Sequence, residues 1–539
     1  MLTDFFLHLA ISIIFSFVLL LVGLKVIHLF KIRIYDFQLP LSFLFGLIFF
    51  SLISILFLIL PDFSKSTYFV FLFFLILIMS LHKRFILIAF LPFITRNFVS
   101  LLVWFALILQ VQLFSFMTPN NTESLPDGPY VFKELVLPVK IQKLTLDYPP
   151  DNAIPAVVSE YLAQRIPFEV ERPVMPGQEL SNRPILQSLV NLPVRLALSD
   201  STPLKERVER FTYVGISWPN TLSLISEYNF RLFLDVSIPL NSFLGALLFS
   251  LIFTSLNFFK RKDYLNLTLF SLAFIVFNPF LIFHSLFTWP KNLSASLIIV
   301  SLYLLTLKGR TSLILGSLAM GFSFLAHPMA LPFILFTTFL LIFKASRYAN
   351  RLSQSIKQYS FFLFFVLLPI VPWFLWTNYV LKIPSDLILQ NTNLNLSFFD
   401  QIWIRISNAF TLLFPTQFSG TSFVPREFLW KSFTNIWSPL GLLVFFIPVI
   451  LFKTFSSNLK NFNFILYNVL GGSILSALFF SVPTIVHIHG WQTFWPVFAA
   501  ASFFYIIKFK YAKLILLSQL IFNLLFLTGW LFAVTEINF

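Results

Sequence analysis

Long apolar runs constrain this chain more than any other feature. Stretches of roughly 20 residues with almost no charge recur along its whole length, and each can cross a bilayer core of about 30 Å. The charge content agrees: 11% of residues are charged, against about 25% in a soluble domain. Phe alone fills 75 positions. These figures exclude a secreted enzyme, a cytosolic enzyme and a disordered scaffold. The chain reads as an all-α polytopic membrane protein.

The runs give about fourteen candidate transmembrane helices. They lie at 5–27, 39–60, 66–81, 98–117, 233–257, 264–284, 291–307, 312–326, 329–343, 359–381, 437–452, 462–482, 492–507 and 514–534. Several fall short of a full crossing, which in a bundle points to broken or re-entrant segments around a cavity. The first 30 residues lack a basic leader and a small-residue cleavage site, so they are expected to stay as a span.

Basic residues follow every odd-numbered run: Lys31 and Arg33, Lys83 and Arg84, Lys260 to Lys262, Lys308 and Arg310, Lys344 and Arg347, Lys453 and Lys460, Lys508 and Lys510. The positive-inside rule assigns those exits to the cytoplasm. Both termini and every even-numbered exit are then expected outside. The net charge of +15 thus belongs to loops, and no solvated basic face suggests nucleic acid as a partner. Cys is absent, so disulfides, thiol nucleophiles and Cys-based metal sites are excluded.

This alternation divides the chain into additional N-terminal helices (1–97), a helix leading outward (98–117), a large mixed outer loop (118–231), central helices (232–382), a second outer loop (383–436) and C-terminal helices (437–539). The large loop holds more than half of the 22 acidic residues and a similar number of basic ones. It carries amphipathic pieces at 157–164 and 186–197. The second loop reads as an amphipathic interfacial hairpin. No internal repeat or inverted pair of broken helices is visible, which weighs against a secondary transporter.

Nucleotide loops and a His-Glu-x-x-His zinc helix are missing. What remains is a set of polar residues expected on the outer side. Asp127, in Pro126-Asp127-Gly128-Pro129-Tyr130, follows the fourth run by about ten residues and is placed to act as a general base on an acceptor hydroxyl; its plain alternative is a turn residue facing water. Asp147 and Asp151 flank Pro149-Pro150, where Asp151 with Asn152 suits a helix N-cap. Arg183 precedes the amphipathic stretch 186–197, where a guanidinium can hold a phosphate bidentately or pair with Glu179.

Lys291, in Thr288-Trp289-Pro290-Lys291, departs from the positive-inside trend by lying outside, where it can bind an anionic lipid phosphate or snorkel to the headgroups. His284 and His327 add polar groups at the same level. His487 and His489 share one side of an extended segment. Without an obvious third ligand they suit phosphate or sugar hydroxyls better than a metal, and no metal site is assigned.

The layout and motifs resemble the GT-C class of integral-membrane glycosyltransferases, in particular the protein mannosyltransferase and aminoarabinose transferase superfamily and its uncharacterised bacterial relatives. Asp127-x-x-Tyr130 is similar to that group's acidic motif after its first helix, with Gly128 where a second acid would stand. Arg183-Pro184-Ile185-Leu186 resembles its His-Pro-Pro-Leu element, and Asn278-Pro279, Trp289-Pro290-Lys291 and Ala326-His327-Pro328 resemble blocks of the bacterial relatives. The resemblance spans roughly 98–507 in layout.

The resemblance implies transfer of a sugar from a polyprenyl-phosphate carrier to a hydroxyl of a lipid, glycan or protein acceptor on the outer side of the membrane. Asp127 would be the base; Tyr130, Asp147, Asp151, Arg183, Lys291, His327, His487 and His489 would bind substrate. A carrier that already bears the phosphate leaving group needs no nucleotide, so no cofactor is expected. The competing readings are a polysaccharide polymerase or ligase, and a flippase or transporter of lipid or polysaccharide. A transporter would place charges near the bilayer centre; Asp235 comes closest to that.

Overall fold

The computed structural model describes residues 2–32, 37–60, 85, 89–117, 154–168, 180–198, 210–213, 216–219, 227–256, 264–286, 289–307, 309–346, 352–383, 385, 395–413, 460–479, 490–506 and 510–536. Among them the fold is helical apart from one short antiparallel pair, β1 (Arg210–Tyr213) with β2 (Ile216–Pro219), in which Arg210 faces Pro219.

The first helices are α1 (Leu2–Leu29), α2 (Gln38–Ile59) and α3 (Leu91–Met117). Two shorter ones, α4 (Ile154–Gln164) and α5 (Leu186–Leu198), come from the segment expected as the outer loop. Then follow α6 (Glu227–Leu256), α7 (Tyr264–Val276), α8 (Pro279–Leu286), α9 (Lys291–Thr306), α10 (Arg310–Ala326), α11 (Leu331–Ser346) and α12 (Leu352–Leu375). The chain closes with α13 (Phe398–Leu413), α14 (Lys460–Phe479), α15 (Trp491–Ile506) and α16 (Ala512–Glu536).

Among the described residues, five helices are long and apolar enough to cross a membrane: α1, α2, α3, α6 and the run through α12 to Val380. A sixth crossing arises if α7 and α8 count as one, bent by 48° between Val276 and Pro279. The bend has a local cause. Pro279 has no amide hydrogen and disfavours helical geometry at Asn278, while Asn278 accepts a hydrogen bond from the Leu281 amide at 3.2 Å and starts α8 anew. Shorter apolar helices follow at α9 to α11, α14 and α16. The expected spans 66–81 and 437–452 lie outside the described residues.

The central helix is α6, buried along its apolar length. By contrast, α1, α3 and α12 turn side chains such as Phe6, Ile14, Leu109, Phe364 and Phe374 outward. This is the division expected when the surrounding solvent is lipid. Between α1 and α2 the backbones approach until no side chain fits: a Cβ on Gly23 would overlap the Ser42 carbonyl, and one on Gly46 the Leu19 carbonyl. Small residues commonly let membrane helices meet this closely.

Contacts sort the helix ends into two faces. On one, the start of α1 meets the end of α3 and the start of α6 through His8, Gln112 and Asp235. The end of α2 meets α4 there, where Arg165 donates to the Phe57 and Leu60 carbonyls, each at 2.9 Å. On the other, Phe37 before α2 stacks on Tyr303 late in α9 at 4.1 Å, and Arg310 at the start of α10 lies over Phe361 of α12. Of the basic exits described by sequence, Lys31 and Arg310 lie at the second face; α4 and α5 lie at the first.

Those two helices dock as a unit. A buried ion pair joins Glu160 to Arg195, and Ser159 donates to Asn191 at 2.8 Å. Pro193 stands inside α5 and cannot donate to the carbonyl four residues earlier. That carbonyl, of Leu189, instead accepts from the Ser54 hydroxyl of α2 at 2.6 Å. The proline thus frees the acceptor that ties α5 to the bundle. In α13, Phe398, Phe399, Trp403 and Ile406 are exposed while Asn408 is buried, an amphipathic split of the kind expected for 383–436.

Candidate functional site

The site lies on the face that carries α4 and α5. A single 3-10 turn, Leu180–Asn182, ends in Arg183, whose amide donates to the Leu180 carbonyl at 2.9 Å. Asn182 is buried and accepts from Ser385, beyond α12, at 2.7 Å. Two expected outer segments therefore meet at Arg183.

Opposite them, Trp289 and Pro290 bring the chain into α9 with Lys291 as its first residue. The Lys291 ammonium lies 4.4 Å from the centre of the Trp289 ring, and the Arg183 guanidinium 4.9 Å from the same ring. Both distances are within cation–π range. Lys291 is 4% exposed, so this is no snorkelling lysine. A cation at a helix N-terminus also faces the positive end of the helix dipole. An anion placed there would relieve both charges at once.

His327 completes the group. Its ring meets Trp289 edge-on at 5.8 Å, and its Nδ1 accepts from the Met329 amide at 3.1 Å. That bond puts the proton of the neutral ring on Nε2. His327 also lies in the electrostatic field of Lys291 and Arg183, and His284 in that of Lys291. His284 reaches Gln492 at the start of α15 at 3.5 Å.

Of the expected site residues, then, the structure brings Arg183, Lys291 and His327 together around one indole. Asp127, Tyr130, Asp147, Asp151, His487 and His489 lie outside the described residues, as does Glu179. Among the described residues no group of three or more His, Asp or Glu side chains is arranged to hold a metal.

Two features escaped the sequence reading. Behind the cations runs a buried chain of amides and hydroxyls: Gln187 of α5 donates to Ser237 of α6 at 2.5 Å, Asn241 donates to the same hydroxyl at 3.4 Å, and the Leu293 amide donates to Asn241 at 3.3 Å. Asn241 thereby caps α9 from a neighbouring helix. The other is His8, 2.6 Å from Asp235. The isolation of Asp235 in an apolar run was a usable signal that a partner was needed; nothing pointed to His8.

No protein-family profile, curated protein or solved structure matches the chain.

Proposed function

We propose that this protein is a membrane glycosyltransferase of GT-C type with about fourteen spans, moving a sugar from a polyprenyl-phosphate carrier to an acceptor hydroxyl on the outer side of the bacterial cytoplasmic membrane. The observation that carries this reading is the convergence of Arg183 and Lys291 on Trp289 beside His327. Two cations and a ring N–H in a largely buried setting suit a phosphate whose charge grows as it departs. The surrounding bundle offers apolar walls to a prenyl chain.

In this reaction the acceptor oxygen attacks the anomeric carbon, and the bond from that carbon to the phosphate oxygen breaks. Asp127 takes the hydroxyl proton. The polyprenyl phosphate leaves with the electron pair and one more negative charge, which Arg183 and Lys291 neutralise. Tyr130, Asp147, Asp151, His487 and His489 are assigned to substrate binding on the strength of their expected outer position. Because the donor already carries its phosphate leaving group, these steps need no nucleotide.

A second reading, a proton-linked flippase for the same lipid, draws on the buried His8 and Asp235 pair, since such pairs serve as proton relays in transporters. One experiment separates the two. Purified protein in proteoliposomes is given polyprenyl-phosphate hexoses and a cell-envelope acceptor extract, and free polyprenyl phosphate is measured. Acceptor-dependent release that Asp127→Asn abolishes supports transfer. Lipid crossing without release, abolished by Asp235→Asn, supports the flippase and rejects the transferase.

A further inference from the structure

A native fold pairs nearly all of its buried polar atoms, so an unpartnered one calls for an explanation. One such place lies beside the cations. Asn292 follows Lys291 in the first turn of α9 and is 0% exposed, yet neither its Oδ1 nor its Nδ2 has a hydrogen-bond partner. Gln187, 1% exposed, donates through Nε2 to Ser237, but its Oε1 has no partner.

These groups belong to one constellation. Gln187 is the second residue of α5, four positions after Arg183, and Asn292 stands between Lys291 and the Leu293 amide that Asn241 caps. The polar chain from Gln187 through Ser237 and Asn241 therefore runs from the Arg183 side to the Lys291 side. Open donors and acceptors thus accompany both cations of the proposed phosphate site.

The chemistry of the open groups selects the ligand. An amide offers an N–H₂ donor and a carbonyl acceptor side by side, which matches neighbouring hydroxyls that each donate and accept. A prenyl chain has neither, and a second phosphate would call for cations rather than a carbonyl oxygen. We infer that Gln187 and Asn292, backed by Asn241, form a subsite for the hydroxyl groups of a neutral sugar ring whose phosphate sits on Arg183 and Lys291. This assignment rests on the transferase reading and adds to it the residues that distinguish a loaded carrier from a spent one.

The test uses Asn292→Leu, similar in size and without the amide, in the full-length protein in detergent. Binding of bare polyprenyl phosphate is compared with that of the same lipid carrying mannose, glucose or galactose. Wild type is expected to bind at least one loaded carrier roughly tenfold more tightly than the bare lipid, the worth of one or two neutral hydrogen bonds. Asn292→Leu is expected to keep the affinity for bare lipid, lose that tenfold preference and melt no lower than wild type without ligand.

Equal affinity of wild type for bare and loaded carriers overturns the subsite while leaving the phosphate site standing. A preference retained in Asn292→Leu, or a ligand-free melting temperature several degrees lower, likewise overturns it by making Asn292 irrelevant or structural. Failure of wild type to bind bare or loaded carrier rejects the transferase reading itself.

Discussion

His8 and Asp235 stand 227 positions apart in the chain, yet His8 Nδ1 lies 2.6 Å from Asp235 Oδ2, and both side chains are buried. Gln112 of α3 donates to the second Asp235 oxygen at 2.9 Å and to Ser12 of α1 at 2.8 Å. Arg231, one turn earlier on α6, donates to the Ser115 carbonyl and hydroxyl. Three helices are thereby fixed in register by one carboxylate.

Removing half of such a pair leaves a buried polar group without its complement. His8→Leu is expected to destabilise the protein by about 3–5 kcal/mol. The double variant His8→Leu with Asp235→Leu should recover much of that loss, because two apolar side chains replace the pair. Thermal unfolding of wild type, His8→Leu, Asp235→Leu and the double variant in one detergent checks it. Equal losses in the single and double variants would show that His8 contributes packing alone.

Pro193 and Ser54 form a second testable couple. Ser54→Ala should cost roughly 1 kcal/mol through the lost bond to the Leu189 carbonyl. In a Pro193→Ala background the restored amide competes for that carbonyl, so the same change should cost clearly less. A double-mutant cycle on melting temperature reads the coupling directly.

Gly23 has no room for a side chain against Ser42. Gly23→Val should push α1 from α2 and destabilise the protein by about 1–3 kcal/mol or more. Cysteine pairs placed across the two helices, in a chain that has no native Cys, should lose their cross-linking efficiency in that variant. Unchanged cross-linking would mean that the backbones approach less closely than the structure shows.

In the proposed site, Lys291→Ala and Arg183→Ala are each expected to weaken polyprenyl-phosphate binding by roughly ten- to a hundredfold, the worth of one charge-assisted hydrogen bond. Trp289→Leu removes the surface on which both cations rest and should weaken binding through both. Titration of fluorescent polyprenyl phosphate checks all three. Full affinity in Lys291→Ala would reassign that lysine to the fold.

Among the described residues, sequence reasoning located the apolar helices because hydropathy acts locally, but it ran one span, 264–284, straight through the break before Pro279. It also marked Arg183, Lys291 and His327, each of which stands out against its own surroundings: Arg183 by standing just before an amphipathic stretch, Lys291 by its expected place on the wrong side for a basic residue, His327 by interrupting an apolar pair of helices. It did not show that Trp289 joins the first two, since an aromatic residue near a span end is common and the guanidinium comes from over a hundred residues away. Gln187 and Asn241 carried no signal, because an amide in a polar stretch looks the same whether it caps a distant helix or faces water. His8 was hidden in the same way until Asp235 was seen beside it.

The shared indole has a mechanical consequence. Arg183 hangs from the segment clasped by α5, whereas Lys291 is rooted in the bundle. The proposed grip needs that clasp seated, because whatever loosens α5 withdraws the Arg183 jaw while the Lys291 jaw stays in place. A lesion at Ser54 or Glu160, which hold α4 and α5 to the bundle and to each other, would thus surface as a change in grip strength before it surfaced as unfolding.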